Sequence, residues 1–392
     1  MSRLAERTGR VERSAIRAMF DRAAAAEAAG RDVVHLEIGE PDFDTPEHVV
    51  RAACEAAEAG ETHYTSNAGL PELREAVADR LADRHGIDAD PEEEVVITTG
   101  AMEALYLAMA AVVDPGEEVL VPTPAWPNYD TQAKLVGADP VAVPLDAERG
   151  FALDADRLVE AMGPATAAVV LTTPSNPTGQ VYDRDAVREV VAAAADHDAF
   201  VIADEVYSDL TYGDHPTGVA AYTDHPERVL TVESCSKSYA MTGWRVGWLA
   251  GPDDVVGAAT MLRESTTACT PSVSQHAAIA ALTGPQEPVE EMAAAFEARR
   301  DYVAERVAAM AGADCPTPEG AFYAFLDVSA LGEPSVAVAE RLLDEYGVVV
   351  APGSGFGDAG EGHLRLSFAN SRERLAEGLD RIGALLADEL DR

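Results

Sequence analysis

"AAVVLTTPSNPTGQ" (167–180) runs from a continuous apolar segment into a turn bracketed by prolines. "AFVIADEVYSDL" (199–210) repeats that plan after a helical stretch, Asp183–His197. Two short β-rich runs separated by a helix and stopped by turn residues make a βαβ unit, whose strands are parallel and buried on both faces. Runs of the same kind recur on either side: "EVVITT", "EEVLVP", "DPVAVPL" and "RVLTVES". Residues 46–284 therefore read as α/β, a mostly parallel sheet flanked by helices and the larger of two domains.

Beyond Gly284-Pro285 the pattern changes. A helix over Glu290–Ala311 precedes "GAFYAFLDV", a helix near Val336–Glu345, "GVVVAPG", "GHLRLSF" and a last helix from Arg372 to the end. These predict a smaller α+β domain, 285–392. Residues 1–45, with a helix over Glu12–Ala29 and a short strand in "DVVHLEIG", are assigned to it as well.

Composition narrows the function. The chain holds 69 acidic and 29 basic residues, a net charge of −40, which repels nucleic acid and anionic membranes. The acidic residues are spread along the chain, as on the shell of a folded body kept soluble in concentrated salt. Cys54, Cys235, Cys269 and Cys315 lie far apart, as unpaired thiols do in a reducing compartment. The N-terminus lacks an apolar signal core, and the longest apolar run, Ala104–Val113, is too short to span a bilayer. A soluble, cytoplasmic protein is expected, without a bound metal.

Of the 29 basic residues, 27 are arginine; the lysines are Lys134 and Lys237. Chance survival is one explanation, and Lys134, with no evident role, illustrates it. The other is chemical: an amine can lose its proton and attack a carbonyl, whereas guanidinium cannot form a Schiff base. Lys237 sits in "SCSKSYAMTGWRVG" (234–247), where Ser234 and Ser236 offer hydroxyls and Arg245 a fork suited to phosphate.

In an open parallel sheet, ligands collect beyond the carboxyl ends of the strands, and several polar residues fall there. Asp204 ends its strand either as a turn or capping residue or as a buried anion awaiting a cationic ring nitrogen, with Tyr207 three residues on. Asn176 is turn chemistry or a rigid amide at the same edge. Gly100 leads from a strand into a helix beginning near Ala101, whose free N–H groups suit phosphate. Trp126 is a packed aromatic or a stacking surface for a flat ring. A carbonyl, a phosphate, a flat ring and a basic ring nitrogen together describe pyridoxal 5'-phosphate.

With these motifs assembled, the chain closely resembles the class I/II aminotransferases, the fold-type I group of pyridoxal-phosphate enzymes. The landmarks are "GEPDFDTP", "YTSNAGLPELREAV", "TTGAMEAL", "PAWPNY", "PSNPTG", "ADEVYSDL", "SCSKSYAMTGWRVG" and "HLRLSFAN", in that order over nearly the whole length. The resemblance implies that Lys237 forms the Schiff base, Asp204 pairs with the ring nitrogen, Tyr207 and Asn176 bond the ring oxygen, and Trp126 stacks. It places the phosphate on the Ala101 and Met102 amides, Ser234, Ser236 and Arg245. Tyr64 would reach the cofactor of a partner subunit, implying a homodimer with shared sites. Arg365, assisted by the Gly39 backbone, would clamp the substrate carboxylate; in "GHLRLSF" it alternates onto a face with His363 and Ser367, where a lone arginine is ordinarily solvated.

The implied reaction is ping-pong transfer of an amino group from an L-amino acid to a 2-oxo acid. A lyase acting at Cβ would share these residues. A non-catalytic regulator is disfavoured by the charge, the intact lysine and the lack of an added DNA-binding module. No second cation for a distal carboxylate can be placed: residue 102 is Met, and Arg3, Arg7, Arg10, Arg13 and Arg17 read as a solvated helix face. A broad amino donor with 2-oxoglutarate as acceptor is expected. The charge pattern makes the first prediction: in a KCl series followed by circular dichroism, the fold is stable at molar salt and is lost at low salt. Full stability in dilute buffer overturns the salt-adapted reading.

Overall fold

The computed structural model describes residues 4–390 apart from 12 and 216. After a two-residue strand, β1 (Val34–His35), come β2 (Val95–Thr98), β3 (Glu118–Thr123), β4 (Asp139–Pro144), β5 (Thr166–Thr172), β6 (Phe200–Asp204), β7 (Val229–Ser234) and β8 (Gly247–Ala250). The strands β2 to β8 form one sheet in the order β2-β8-β7-β6-β5-β3-β4. Only β8 runs against its neighbours; every other adjacent pair is parallel. The mostly parallel sheet is as expected, while the antiparallel β8 left no mark in the hydrophobic pattern.

Side chains alternate across the sheet and fill two layers. Val169, Leu171, Val201 and Ala203 meet Val187, Val190 and Val191 of helix Arg184–Asp196 on one face. Ala168, Val170 and Ile202 meet Leu105, Ala108 and Met109 of helix Ala101–Val112 on the other. Burial on both faces explains why these strands read as continuous apolar runs.

The remaining strands are β9 (Tyr323–Asp327), β10 (Val348–Val349), β11 (Ala351–Pro352) and β12 (His363–Ser367). They form an antiparallel sheet, β11-β12-β9, and a parallel pair, β1 with β10. Met19, Val34 and Leu36 from the N-terminal part share a core with Phe296, Leu364, Leu375 and Leu379. That core also takes in Val206, Tyr207 and Leu210, which follow β6, so the two layers of structure meet directly below the strand ends.

Helix boundaries differ from expectation where caps decide them. The first long helix is Ala15–Ala28, not 12–29, because the Ser14 hydroxyl accepts the Ile16 N–H at 3.2 Å; Glu12 lies outside the described residues. Asp183 caps Arg184–Asp196 from outside it. The later helix is Glu287–Ala308, three residues earlier at each end than the periodicity suggested. The stretch expected as one helix over 336–345 is Ser335–Arg341, followed by a wider turn, Leu342–Tyr346, that ends at Gly347. Among the described residues no helix is long and apolar enough to cross a membrane.

One buried ion pair fastens the helix that begins at the site. Arg263, with no exposed side-chain area, lies 3.2 Å from Glu103 Oε1 and donates to Thr270 Oγ1 at 2.7 Å and to the Asn67 carbonyl. Removing one partner strands a buried charge, which costs about 3–5 kcal/mol. Arg263→Ala is therefore expected to lower unfolding stability by roughly that amount in denaturant titration at high salt, where an exposed pair would be worth about 1 kcal/mol or less.

Candidate active site

A cavity of about 460 Å³ opens where β5, β6 and β7 end. Asp204 closes β6 in register with Thr172 of β5 and Val232 of β7. Its carboxylate is 3% exposed and accepts from Tyr129 Oη at 2.7 Å. Thr172 donates to that same phenol oxygen at 2.6 Å, so the Tyr129 proton is directed at Asp204. Burial pushes the Asp204 carboxyl up to about 6, against the Tyr129 hydrogen bond. The capping alternative for Asp204 is met only by a long contact from Val206 N–H, at 3.4 Å.

Lys237 stands in the single turn Cys235–Ser238 that follows β7. Its amine donates to the Gly39 carbonyl and lies 5.7 and 5.6 Å from the ring centroids of Tyr207 and Phe322. Burial lowers its pKa to about 8; Glu40 nearby works in the opposite direction. Residue 39 must be glycine-sized, since a Cβ there would stand 2.9 Å from Tyr323 Oη. Lys134, by contrast, pairs with Asp130 one helical turn away at 2.7 Å, an ordinary surface contact.

Gly100, at φ 75°, turns β2's exit into helix Ala101–Val112, leaving the Ala101 and Met102 amides without intrahelical acceptors. Arg245 is aimed at the same place: a Cβ on residue 100 would be 2.5 Å from its Nη2. The guanidinium is braced by the Thr242 carbonyl at 2.9 Å. Ser234 and Ser236 line the cavity, and the Ser234 hydroxyl accepts the Ser236 N–H at 3.3 Å.

Arg365, which the resemblance assigns to the substrate carboxylate, is 3% exposed and lines the cavity, against the solvated face that a lone arginine ordinarily takes; all five residues of β12 are buried. It donates to Asn176 Oδ1 at 2.9 Å and to the Glu37 carbonyl at 2.7 Å. Tyr323 and Phe356 sandwich it, with ring centroids at 4.4 and 5.0 Å. Asn176 thus spends its oxygen on Arg365, which leaves its NH₂ for a ligand. Trp126 lines the cavity edge-on to Tyr129, with centroids 5.6 Å apart.

The structure brings together every sequence-derived site residue but one. Tyr64 is 91% exposed and does not line this cavity. Nine lining residues were not anticipated, among them Tyr129, Tyr323, Glu37, Ile16 and Phe20. "PAWPNY" contained Tyr129, but nothing local pointed it at Asp204. Tyr323 bonds Tyr207 through their hydroxyls at 2.9 Å, across 116 residues of chain. Among the described residues no cluster of His, Cys, Asp or Glu is arranged to hold a metal ion.

A buried carboxylate with neutral donors only, an amine of lowered pKa and a glycine cradle beside an arginine fit pyridoxal phosphate in its ring nitrogen, carbonyl and phosphate. Comparison with known proteins agrees. The family profile described as "Aminotransferase class I and II" matches residues 31–382. An aspartate aminotransferase of Streptomyces avermitilis is 40% identical over 402 residues, covering 99% of this chain and 98% of its own. Aromatic-amino-acid aminotransferase 2 of Thermococcus litoralis is 39% identical, covering 98% and 99%. The structure of Thermus thermophilus aspartate aminotransferase with maleate superposes with a TM-score of 0.94 at 38% identity, covering 98% of this chain and all of that one. The chain belongs to the class I and II aminotransferases.

Proposed function

We propose that Lys237 is both covalent anchor and proton carrier in this pyridoxal-phosphate-dependent aminotransferase, serving the amino donor and the 2-oxo acid acceptor in turn. The observation that carries the assignment is a half-buried amine bonded to the Gly39 carbonyl inside the cavity, in a chain where 27 of the 29 basic residues are arginine. Bound pyridoxal phosphate supplies an aldehyde that links to an amine and a ring that accepts the electron pair left by the departing Cα proton.

Asp204, oriented by Tyr129, would serve the ring nitrogen as a carboxylate. Tyr207 and the Asn176 amide would serve the ring oxygen, and Trp126 the flat ring. The Ala101 and Met102 amides, Ser234, Ser236 and Arg245 would hold the phosphate. Arg365 takes the substrate α-carboxylate as a fork held square by Asn176 and the Glu37 carbonyl, with Gly39 beside it. Lys237 Nζ would then accept the proton from the substrate Cα and give it up to the bound group within the same half reaction, the 2-oxo acid running the same transfer in reverse.

Tyr64's exposure supports its use by a second subunit, and hence a homodimer. The shared cores support 46–284 as a cofactor-binding domain and 1–45 with 285–392 as the smaller domain. The acidic, lysine-poor surface supports a salt-rich cytoplasm as the working environment.

Borohydride reduction of the loaded enzyme, followed by peptide mass spectrometry, should place the cofactor on the peptide containing Lys237 and not on that containing Lys134. Lys237→Ala is expected to abolish turnover while retaining cofactor through the phosphate contacts; wild-type activity in it overturns the assignment. Because the anchoring amine must be neutral, capture of cofactor by the apoenzyme, followed by absorption, should slow about tenfold per pH unit below about 8. A rate flat from pH 6 to 9 contradicts the role given to the amine.

A further inference from the structure

Two hydrogen bonds fix where a substrate side chain must go. Arg365 holds the Glu37 carbonyl and Lys237 holds that of Gly39, so residues 37–40 bridge the carboxylate clamp and the reacting amine. An amino acid with its carboxylate on Arg365 and its Cα at Lys237 lies along this bridge. The cavity beside it is walled by Ile38 and by Ile16 and Phe20, which stand one turn apart on helix Ala15–Ala28; Met102 also lines it.

Two carboxylates line the same space. Glu37 is fully buried and paired with His35, whose Nδ1 lies 2.8 Å from one carboxylate oxygen and whose pKa this contact raises to about 9; the other oxygen has no hydrogen-bond partner. Glu40 accepts from the Thr242 hydroxyl at 2.9 Å. Among the described residues of this subunit, the cations of the lining are Lys237, Arg245 and Arg365, each already given a task. The N-terminal arginines do not join them: Arg10 is bonded to Asp139 at 2.8 Å, Arg13 is 90% exposed, and Arg7 and Arg17 are exposed. Arg3 lies outside the described residues.

Resting on the site reading above, we infer that the amino donor carries an uncharged apolar side chain, aliphatic or aromatic, and that aspartate and glutamate are selected against. A distal carboxylate would lose its water against Ile16, Phe20 and Met102 and meet Glu40 as a like charge, while the Glu37 charge is already paired with His35. An apolar side chain buries surface there at no electrostatic cost. Both half reactions use this cavity, so 2-oxoglutarate, the acceptor expected from the sequence, ranks below a monocarboxylic 2-oxo acid.

The test mixes the loaded enzyme in concentrated KCl with single amino acids and follows the cofactor band through one half reaction. Phenylalanine, leucine and methionine should convert it roughly tenfold or more faster than aspartate or glutamate at equal concentration. Equal or faster conversion by an acidic or a basic amino acid overturns the inference. Phe20→Ala should cut the preference for phenylalanine over alanine about tenfold; an unchanged preference counts against the wall assigned here. If no amino acid converts the cofactor, the site reading fails, and equilibrium binding of unreactive acids still decides the subsite. Calorimetry should then show 3-phenylpropionate binding more tightly than succinate, and the reverse order overturns the inference.

Discussion

A guanidinium buried without a carboxylate bonded to it is the constraint on which the site depends. Arg365 lies between two aromatic rings and donates only to neutral oxygens, one on Asn176 and one on the Glu37 backbone. Burial alone presses its pKa downward. Two amide dipoles satisfy part of its hydrogen-bonding capacity, and Tyr323, Tyr207 and Glu37 nearby partly offset its charge, but no carboxylate is bonded to it until an anion arrives. Those dipoles sit 189 and 328 residues away in the chain, so the clamp forms only when both parts of the fold are in place. Asp204 is the counterpart of opposite sign, a buried carboxylate supported by a phenol. The fold holds these two charges separately at one strand edge, each oriented and each short of a counter-ion.

What the sequence revealed and what it hid divide along the distance of the interactions involved. The parallel strands were legible because burial on both faces leaves uninterrupted apolar runs such as "AAVVLTT". The helix at Ala101 was legible because Gly100 marks a local turn. Tyr129, Tyr323 and Glu37 were hidden, since each acts through a partner contributed by a remote segment. The direction of β8 was hidden for a related reason: an apolar strand buried on both sides reads the same in either direction. Arg365 was half legible, as the period-two pattern gave its face but not the layers that cover it.

The scarcity of lysine resolves into two different stories. Lys134 is an exchangeable surface cation, held by Asp130 on its own helix. Arginine does the same work elsewhere with more bonds per side chain: Arg22 reaches Glu340 and Asp344, and Arg381 reaches Asp32 and Glu377. Nothing about those pairs demands an amine. Lys237 is the converse case, for its environment depresses the proton affinity that a guanidinium would never relinquish.

The surface charge and the cavity charge act over different ranges, and salt separates them. In dilute buffer a net charge of −40 would repel any dianionic substrate well before contact. At molar salt the screening length is about 3 Å, and that long-range discrimination is gone. The cost of stripping water from a second carboxylate against Ile16, Phe20 and Met102 is not screened by mobile ions, so a preference for one carboxylate over two persists. A specificity set inside the cavity therefore does not depend on the salt around the protein. The groups that set substrate charge have to be inside, on the bridge between Arg365 and Lys237, because at such ionic strength no charge on the outer surface can set it.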